Sequence, residues 1–267
     1  MNRINKVFNK LKELNRPALI TYVCAGDPDL DTTYNMVMEL EKAGADIVEL
    51  GIPFSDPIAD GPTIQRAAQR ALSCGTNLSN ILDMVTKLRA VTQIPIVLMG
   101  YYNPFLAMGL NEFIERASMS GVDGLIIPDI PPDEADEIIK KAKEKELSTI
   151  FLLAPTSTES RINLVSSIST GFIYFVSVTG VTGARNSQSF NIEKYIKNIK
   201  SKTDKPVCVG FGISNTTQIQ QIAQYGADGI IVGSAFVNII EENLSNRDKI
   251  PLLIGGFCRS LVDGLKR

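Results

Sequence analysis

The side chain with the clearest chemical potential is a carboxylate inside an apolar segment. Glu49 lies in the run Ile-Val-Glu-Leu of residues 47–50, close to the point where a predicted strand ends. We expect burial to disfavour the charged form and to raise the pKa of Glu49 toward the working pH, which suits a general acid or base. The alternative is a structural carboxylate that is paired with a base or with backbone N–H groups.

A second carboxylate follows 11 residues later. Asp60 lies in residues 51–62 (GIPFSDPIADGP), a long segment with no regular pattern of its own, and such segments often serve as active-site lids. Taken alone, Asp-Gly-Pro is more typical of a turn or a helix cap, and Asp56 has the same ambiguity. Asp27 and Asp129 are interpreted as caps or loop braces before helices, with Asp129 also a candidate to support the site from behind.

Glycines after the last two predicted strands indicate a phosphate site. Residues 209–214 (VGFGIS) follow predicted strand seven, and residues 232–235 (VGSA) follow predicted strand eight and open a helix. Backbone N–H groups at a helix N-terminus bind phosphate, and glycine lets the backbone approach a ligand closely. Gly180 and Gly183, in the long segment 179–190, are candidates to complete this cradle. A lone Gly-x-Gly indicates only a turn, but two such segments after adjacent strands favour phosphate binding.

The composition excludes several kinds of catalysis. The chain has no histidine, which removes Ser-His and Cys-His pairs and the imidazole ligands of metal-dependent aldolases. A Schiff-base mechanism needs a lysine at the catalytic end of a strand, and the nearest candidate, Lys205, lies before predicted strand seven. The net charge of −2, without a basic stripe, argues against nucleic-acid binding. Carboxylate acid/base chemistry on a small phosphate ester remains.

Eight short apolar runs must position these residues. They are continuous rather than alternating, as in strands that are buried on both faces, and a helical pattern follows each of them. The runs are residues 18–23, 46–51, 95–100, 123–129, 148–154, 171–178, 206–212 and 228–234. Eight such units predict an α/β fold, a closed (β/α)8 TIM barrel with its active site at the carboxyl ends of the strands. An open, doubly wound sheet is the second interpretation, since it shows the same alternation.

A weak internal repeat supports the barrel. Residues 43–51, 120–129 and 225–234 share one design: a helix ends, a glycine turns the chain with positive φ, and an aspartate begins an apolar strand. No linker interrupts the series, so residues 1–267 are predicted to form a single domain.

The N-terminal segment predicts an extra helix that plugs the bottom of the barrel. Its apolar residues fall on one side: Ile4, Val7, Phe8, Leu11 and Leu14. The segment lacks the apolar core of a signal peptide, and no run approaches the roughly 18 residues of a membrane helix. The four cysteines are scattered without a CxxC pair. We therefore expect no disulfide and no membrane association, and a cytoplasmic location, or the plastid stroma if the chain is plastid-encoded.

Residues 49–67 (ELGIPFSDPIADGPTIQRA) closely resemble the signature segment of tryptophan synthase α subunits. Further matches, in the family's order, are AGDPD (25–29), PDIPPDE (128–134), GVTGAR (180–185), GFGIS (210–214) and GADGIIVGSAFV (226–237). The resemblance runs over nearly the whole chain, and the acidic segment is highly specific. It implies retro-aldol cleavage of indole-3-glycerol phosphate to indole and glyceraldehyde 3-phosphate in L-tryptophan biosynthesis, with no cofactor or metal in this chain.

The resemblance also implies roles for individual residues. Glu49 would be the principal acid/base, which takes the glycerol hydroxyl proton and supplies the proton at indole C3. Asp60 would bind the indole N–H and stabilise positive charge on the ring. Thr182 matches the loop threonine that closes toward Asp60. The implied substrate-binding residues are Tyr174, Thr182, Gly183, Gly212, Gly233 and Ser234.

The resemblance implies a partner as well. In the family, the α subunit works with a β subunit that uses pyridoxal phosphate to join indole to serine, so an αββα assembly with direct transfer of indole is expected. The implied contact surface includes Pro53, Asp56, Pro57 and Asn103, together with the neighbouring Pro104 and Phe105. The pyridoxal phosphate would belong to the β subunit.

Three alternatives stay open. Many bacterial members have an arginine shortly before the GVTG motif, whereas this chain has VSVTG (176–180), similar to cyanobacterial and plant sequences. Plant relatives include stand-alone lyases that release free indole, and this is the first alternative. The second is a catalytically silent activator of the β subunit, against which Glu49 and Asp60 argue. The third is a related barrel isomerase of tryptophan or histidine synthesis, against which the ADGP segment argues.

Overall fold

One parallel sheet organises the chain. The structure, a computed structural model, describes residues 2–177, 192–210 and 212–265. Within them, nine strand segments pair in the order β5-β4-β3-β2-β1-β9-β8-β7-β6. The segments are β1 (Ala18–Cys24), β2 (Ile47–Gly51), β3 (Ile96–Met99), β4 (Gly124–Ile126), β5 (Ser148–Ile150), β6 (Leu152–Leu153), β7 (Ile173–Val176), β8 (Val207–Gly210) and β9 (Gly229–Val232).

The ends of this sheet meet in a single run of the sequence. β5 and β6 are the two halves of predicted strand five and are separated only by Phe151. β5 pairs with β4, and β6 pairs with β7, so this run closes the ring. The eight predicted runs are therefore the eight strands of a closed barrel. The prediction of a TIM barrel is confirmed, and the open doubly wound sheet is wrong.

Twelve α-helices lie within the described residues, mostly outside the barrel. They are α1 (Arg3–Glu13), α2 (Leu30–Ala43), α3 (Pro62–Ser73), α4 (Leu78–Arg89), α5 (Tyr102–Met108), α6 (Leu110–Ser120), α7 (Asp136–Glu144), α8 (Glu159–Ile168), α9 (Ile192–Lys200), α10 (Thr216–Gln224), α11 (Ser234–Glu242) and α12 (Ile250–Leu265). Short 3-10 helices span Pro132–Glu134 and Leu244–Lys249. No helix in the described ranges is long and apolar enough to cross a membrane.

α1 closes the bottom of the barrel, as predicted. Ile4, Phe8 and Leu11 are buried with the inward-facing side chains of the strands, and the ring of Phe8 lies 5.9 Å from that of Phe172. The prediction for Leu14 is wrong, since this side chain is 61% exposed. α1 ends at Glu13 and the chain turns away at Asn15, whose φ is +48°, so Leu14 never reaches the buried side.

The internal repeat produces the same junction three times. The predicted positive φ values are confirmed, at +100° for Gly44, +87° for Gly121 and +85° for Gly226. The aspartate two residues further on accepts a backbone N–H from the start of a neighbouring strand. The pairs are Asp46 with Leu19, Asp123 with Ile96, and Asp228 with Val207. These junctions lie at the amino ends of the strands, opposite the loops that carry the candidate site.

The four cysteines are free thiols, in agreement with the expectation of no disulfide. Cys24, Cys208 and Cys258 are buried and Cys74 is exposed.

Candidate active site

The interior of the barrel changes from hydrocarbon to polar groups near the carboxyl ends of the strands. On β2, Ile47 belongs to the inner core, whereas Val48 and Leu50 pack on the outside, so Glu49 shares the inner face with Ile47. Tyr22 on β1 is the in-register neighbour of Glu49. Tyr174 packs against the same inner core from β7. One carboxyl group and two phenols therefore form a polar layer above an apolar floor.

Glu49 is buried, and the described residues leave its carboxyl group unpaired. It is 1% exposed, and neither carboxyl oxygen has a partner among the described residues. Burial raises the pKa of Glu49 to about 8, and the nearby Asp60 carboxylate contributes to the same shift. A buried carboxyl group that nothing satisfies is costly, and such groups are retained where they act on a ligand. The arrangement gives no support to the structural alternative of a paired carboxylate.

Asp60 lies in the connection between β2 and α3. Its Oδ2 accepts a hydrogen bond of 3.1 Å from the hydroxyl of Tyr101, and that hydroxyl accepts the N–H of Ala59 at 2.8 Å. Burial raises the pKa of Asp60, and the hydrogen bond from Tyr101 opposes the rise. The turn interpretation holds for the backbone, since the N–H of Asp60 donates to the carbonyl of Pro57. The side chain does not cap α3, which begins after Gly61 without a side-chain cap.

Tyr174 reaches toward the predicted phosphate segment. A Cβ on Gly210 would lie 2.5 Å from the Tyr174 hydroxyl oxygen, so the phenol occupies the space that the glycine leaves at the end of β8. Burial raises the pKa of Tyr174 well above its ordinary value, and it therefore stays protonated.

The predicted phosphate residues lie at the same end of the barrel. Gly233 is the N-cap of α11, Ser234 is its first residue, and no side chain caps this end. The first N–H groups of a helix have no intrahelical partner, which leaves them for an anion. Gly212 follows β8 with a φ of +69°. Thr182, Gly183 and Gly180 lie outside the described residues.

The predicted partner surface divides into exposed and buried residues. Asp56 and Asn103 are exposed and Pro57 is half-buried, whereas Pro53 is buried in the chain itself. Phe105 is fully buried, with its ring 4.1 Å from that of Phe113. Pro53 and Phe105 therefore support this surface from beneath.

The two remaining aspartates act as loop braces, as interpreted from the sequence. Asp27 is fully buried and forms two hydrogen bonds with Arg70 of α3, at 2.7 and 2.8 Å. Asp129 accepts the backbone N–H of Tyr102 at the start of α5. The N-cap of α2 is Asp29 rather than Asp27.

Two tyrosines of the site were not predicted from the sequence. Tyr22 lies one strand from Glu49, and Tyr101 holds Asp60. A tyrosine inside the apolar run ALITYV was a signal for the first, whereas nothing local marks Tyr101. Within the described part of the chain, no group of three or more His, Cys, Asp or Glu side chains is arranged to hold a metal ion.

Comparisons with known proteins identify the family of this chain. The model of the family described as tryptophan synthase alpha chain matches residues 8–253. The chain is 48% identical over 266 residues to the tryptophan synthase alpha chain of Geotalea uraniireducens, covering 100% of this chain and 98% of that relative.

Solved structures of the same family share the fold. The crystal structure of tryptophan synthase subunit alpha from Legionella pneumophila is similar with a TM-score of 0.92 and 36% identity, over 100% of this chain and 99% of that one. A chain from the tryptophan synthase a2b2 complex of Pyrococcus furiosus is similar with a TM-score of 0.86 and 38% identity, over 93% and 98% of the two chains. The chain therefore belongs to the tryptophan synthase alpha chain family and is an enzyme subunit of tryptophan biosynthesis.

Proposed function

We propose that this chain is a carbon–carbon lyase that cleaves indole-3-glycerol phosphate to indole and glyceraldehyde 3-phosphate. The observation that carries the proposal is the state of Glu49. It is buried, its pKa is raised to about 8, and its oxygens have no partner among the described residues. Such a group is protonated at neutral pH and free to exchange that proton with a ligand.

The two acids divide the reaction between them. Glu49 donates its proton to indole C3, which gives an indoleninium cation, while the Asp60 carboxylate accepts the indole N–H and stabilises the positive charge. The Glu49 carboxylate then takes the proton of the hydroxyl on the carbon attached to C3. The carbon–carbon bond breaks, its electron pair returns to the ring, and a carbonyl forms. Glu49 ends protonated, as it began.

Acid/base groups are sufficient for this step, so we assign this chain no cofactor or metal. The N-terminus of α11, with Gly233 and Ser234, and the turn at Gly212 would bind the phosphate. Tyr174 would line the path between phosphate and acids. Thr182 and Gly183 are assigned to the site on their motif alone.

A β subunit is the proposed partner, with the pyridoxal phosphate on its side and an αββα stoichiometry. The similar Pyrococcus furiosus chain belongs to an a2b2 complex of tryptophan synthase, which supports such a partner here. Exposed apolar side chains flank the predicted contact residues Asp56, Pro57 and Asn103. Ile58 is 85% exposed and Leu106 is 48% exposed. Apolar groups left in water beside a site are typical of a surface that a partner covers.

The test is the cleavage of indole-3-glycerol phosphate by the chain with and without its cognate β subunit. We expect cleavage that increases when the β subunit is added. Glu49→Gln should lose at least about a thousandfold in kcat, because one side chain performs both proton transfers, and should still bind the substrate. Near-normal turnover by Glu49→Gln would falsify the mechanism.

The same assay separates the alternatives. A high rate that the β subunit leaves unchanged would identify a stand-alone lyase. No cleavage under either condition, with stimulation of the β reaction, would identify a silent activator.

A further inference from the structure

Tyr22 occupies the space between the phosphate segment and the acids. β1 lies between β9 and β2 in the sheet, and Tyr22 is the register partner of Glu49 on β2. On the other side, a Cβ on Gly233, which follows β9, would lie 3.3 Å from the Cβ of Tyr22. The Cβ of Tyr22 therefore borders the predicted phosphate site.

The hydroxyl of Tyr22 points to the acid side. A Cβ on Gly51 would lie 2.1 Å from the Tyr22 hydroxyl oxygen, so this oxygen sits in the space that the last residue of β2 leaves empty. Gly51 begins the connection that carries Asp60. The side chain of Tyr22 thus reaches from the predicted phosphate site at Gly233 to the start of the connection that carries Asp60.

The hydroxyl of Tyr22 is not used by the part of the chain that the structure describes. Tyr22 is 8% exposed, and none of the described residues forms a hydrogen bond with its hydroxyl. Its ring packs with Cys24, Ala67, Ala68, Ala71 and Val237, which accounts for the ring and not for the hydroxyl.

Burial, together with the titratable groups around it, keeps Tyr22 protonated and therefore a hydrogen-bond donor. Burial raises the pKa of Tyr22 well above its ordinary value, followed by the effects of Cys24, Asp60, Glu49 and Tyr174. The phenol is therefore protonated throughout the working pH range. Like the Glu49 carboxyl group, the Tyr22 hydroxyl has no hydrogen-bond partner among the described residues.

We propose that the Tyr22 hydroxyl hydrogen-bonds the hydroxyl groups on the glycerol chain of the substrate, as a further substrate-contacting residue. The inference rests on the proposed function, in which the glycerol chain joins the phosphate at Gly233 to the indole at Asp60. A glycerol chain that connects these two points passes over Tyr22, because β1 is the strand between β9 and β2. Its hydroxyls meet a phenolic hydroxyl there and the Glu49 carboxyl beside it.

The experiment compares the binding of two ligands to a variant that cannot cleave the substrate. In Glu49→Gln, the substrate indole-3-glycerol phosphate binds without cleavage, and indole-3-propanol phosphate is the matched ligand that lacks both glycerol hydroxyls. Because the chain contains no tryptophan, indole fluorescence of either ligand is read without a tryptophan background. Tyr22→Phe keeps the ring and removes only the hydroxyl.

We expect Tyr22→Phe to weaken binding of indole-3-glycerol phosphate about 2- to 10-fold and to leave binding of indole-3-propanol phosphate unchanged. Tyr34→Phe is the matched control, since Tyr34 packs against the outer core on α2. It should leave both affinities unchanged.

Two outcomes overturn the inference. Equal weakening of both ligands shows that the Tyr22 hydroxyl does not recognise the glycerol hydroxyls, and no weakening of either shows that its hydroxyl is not used. Both leave the proposed function intact, provided that the parent chain with Glu49 cleaves the substrate. If the parent chain neither binds nor cleaves indole-3-glycerol phosphate, the proposed function is wrong, and this inference is wrong as well.

Discussion

The hydroxyl of Tyr101 donates a hydrogen bond of 3.1 Å to Oδ2 of Asp60, a residue that lies 41 positions earlier in the chain. The same hydroxyl accepts the N–H of Ala59. Tyr101, two residues after β3, therefore holds both the carboxylate of Asp60 and the backbone of the connection between β2 and α3. The orientation of Asp60 depends on a neighbouring strand as much as on its own loop.

Tyr101→Phe removes both contacts and keeps the ring, which lies 5.3 Å from that of Phe54. We expect kcat/KM to fall about tenfold, the size of one or two lost hydrogen bonds. In the parent chain the hydrogen bond from Tyr101 lowers the pKa of Asp60. Its loss should raise that pKa and move the acid limb of the pH profile to higher pH. Tyr102→Phe is the matched control, because none of the described residues bonds to its hydroxyl. An unchanged rate and acid limb in Tyr101→Phe would contradict this role.

The pH dependence of kcat/KM should be bell-shaped. Glu49 must carry its proton at the start of the reaction, and burial raises its pKa to about 8, so activity should fall as pH rises through about 8. Asp60 must be ionised, and burial raises its pKa, so activity should also fall on the acid side, at a pH above that expected for an exposed aspartate. Initial rates between about pH 4 and pH 10 measure both limbs. A rate that still rises above about pH 9 would show that Glu49 begins the reaction ionised.

Glu49 should also govern the pH dependence of stability. Between its ordinary pKa of 4.5 and its folded value of about 8, the native state holds a proton that the unfolded state has released. Stability from this group is therefore complete below about pH 4.5 and is lost as pH rises through about 8. Each pKa unit corresponds to about 1.4 kcal/mol, so the loss amounts to a few kcal/mol.

Glu49→Gln cannot ionise and should therefore be more stable than the parent chain near pH 9, with a difference that shrinks toward pH 5. Urea unfolding at about pH 5, 7 and 9 gives the free energies to compare. Glu144→Gln, at an exposed position of α7, is the matched control. A difference that does not change with pH would refute the burial argument.

The ion pair between Arg70 and Asp27 should be essential to the fold around the site. Asp27 is fully buried and Arg70 is its partner through two hydrogen bonds. Arg70→Met leaves a buried carboxylate unpaired, which should lower the free energy of unfolding by about 3–5 kcal/mol. Denaturant titration measures the loss.

Arg66 supplies the comparison one helical turn earlier on α3. Its bidentate pair with Glu241 is close to ideal, at 2.7 and 2.8 Å, but its side chain is 49% exposed. Exposed pairs contribute little, so Arg66→Met should leave the unfolding midpoint almost unchanged. If both variants lost stability equally, burial would not be the deciding factor.

Local pattern was enough for the parts of the site that lie within one element. Glu49 was recognisable because an acid inside an apolar strand is unusual, and Gly44 and Gly121 because a helix that turns into a strand needs positive φ. Tyr101 and Tyr22 depend on how neighbouring strands align, which no short segment encodes. The prediction for Leu14 failed for a local reason, because α1 ends at Glu13 and the chain turns at Asn15.

α1 precedes every strand in the chain, yet the surfaces that it covers are remote in sequence. A Cβ on Gly124 would lie 3.1 Å from Ile4, and the ring of Phe8 meets that of Phe172. While the protein is being synthesised, the apolar side of this helix stays uncovered until the segment around residue 172 has been made. Contacts this distant in sequence form slowly, because a long loop must close first. The segment of α1 is therefore translated before every strand, and its apolar side chains stay uncovered until β1 to β6 have been made.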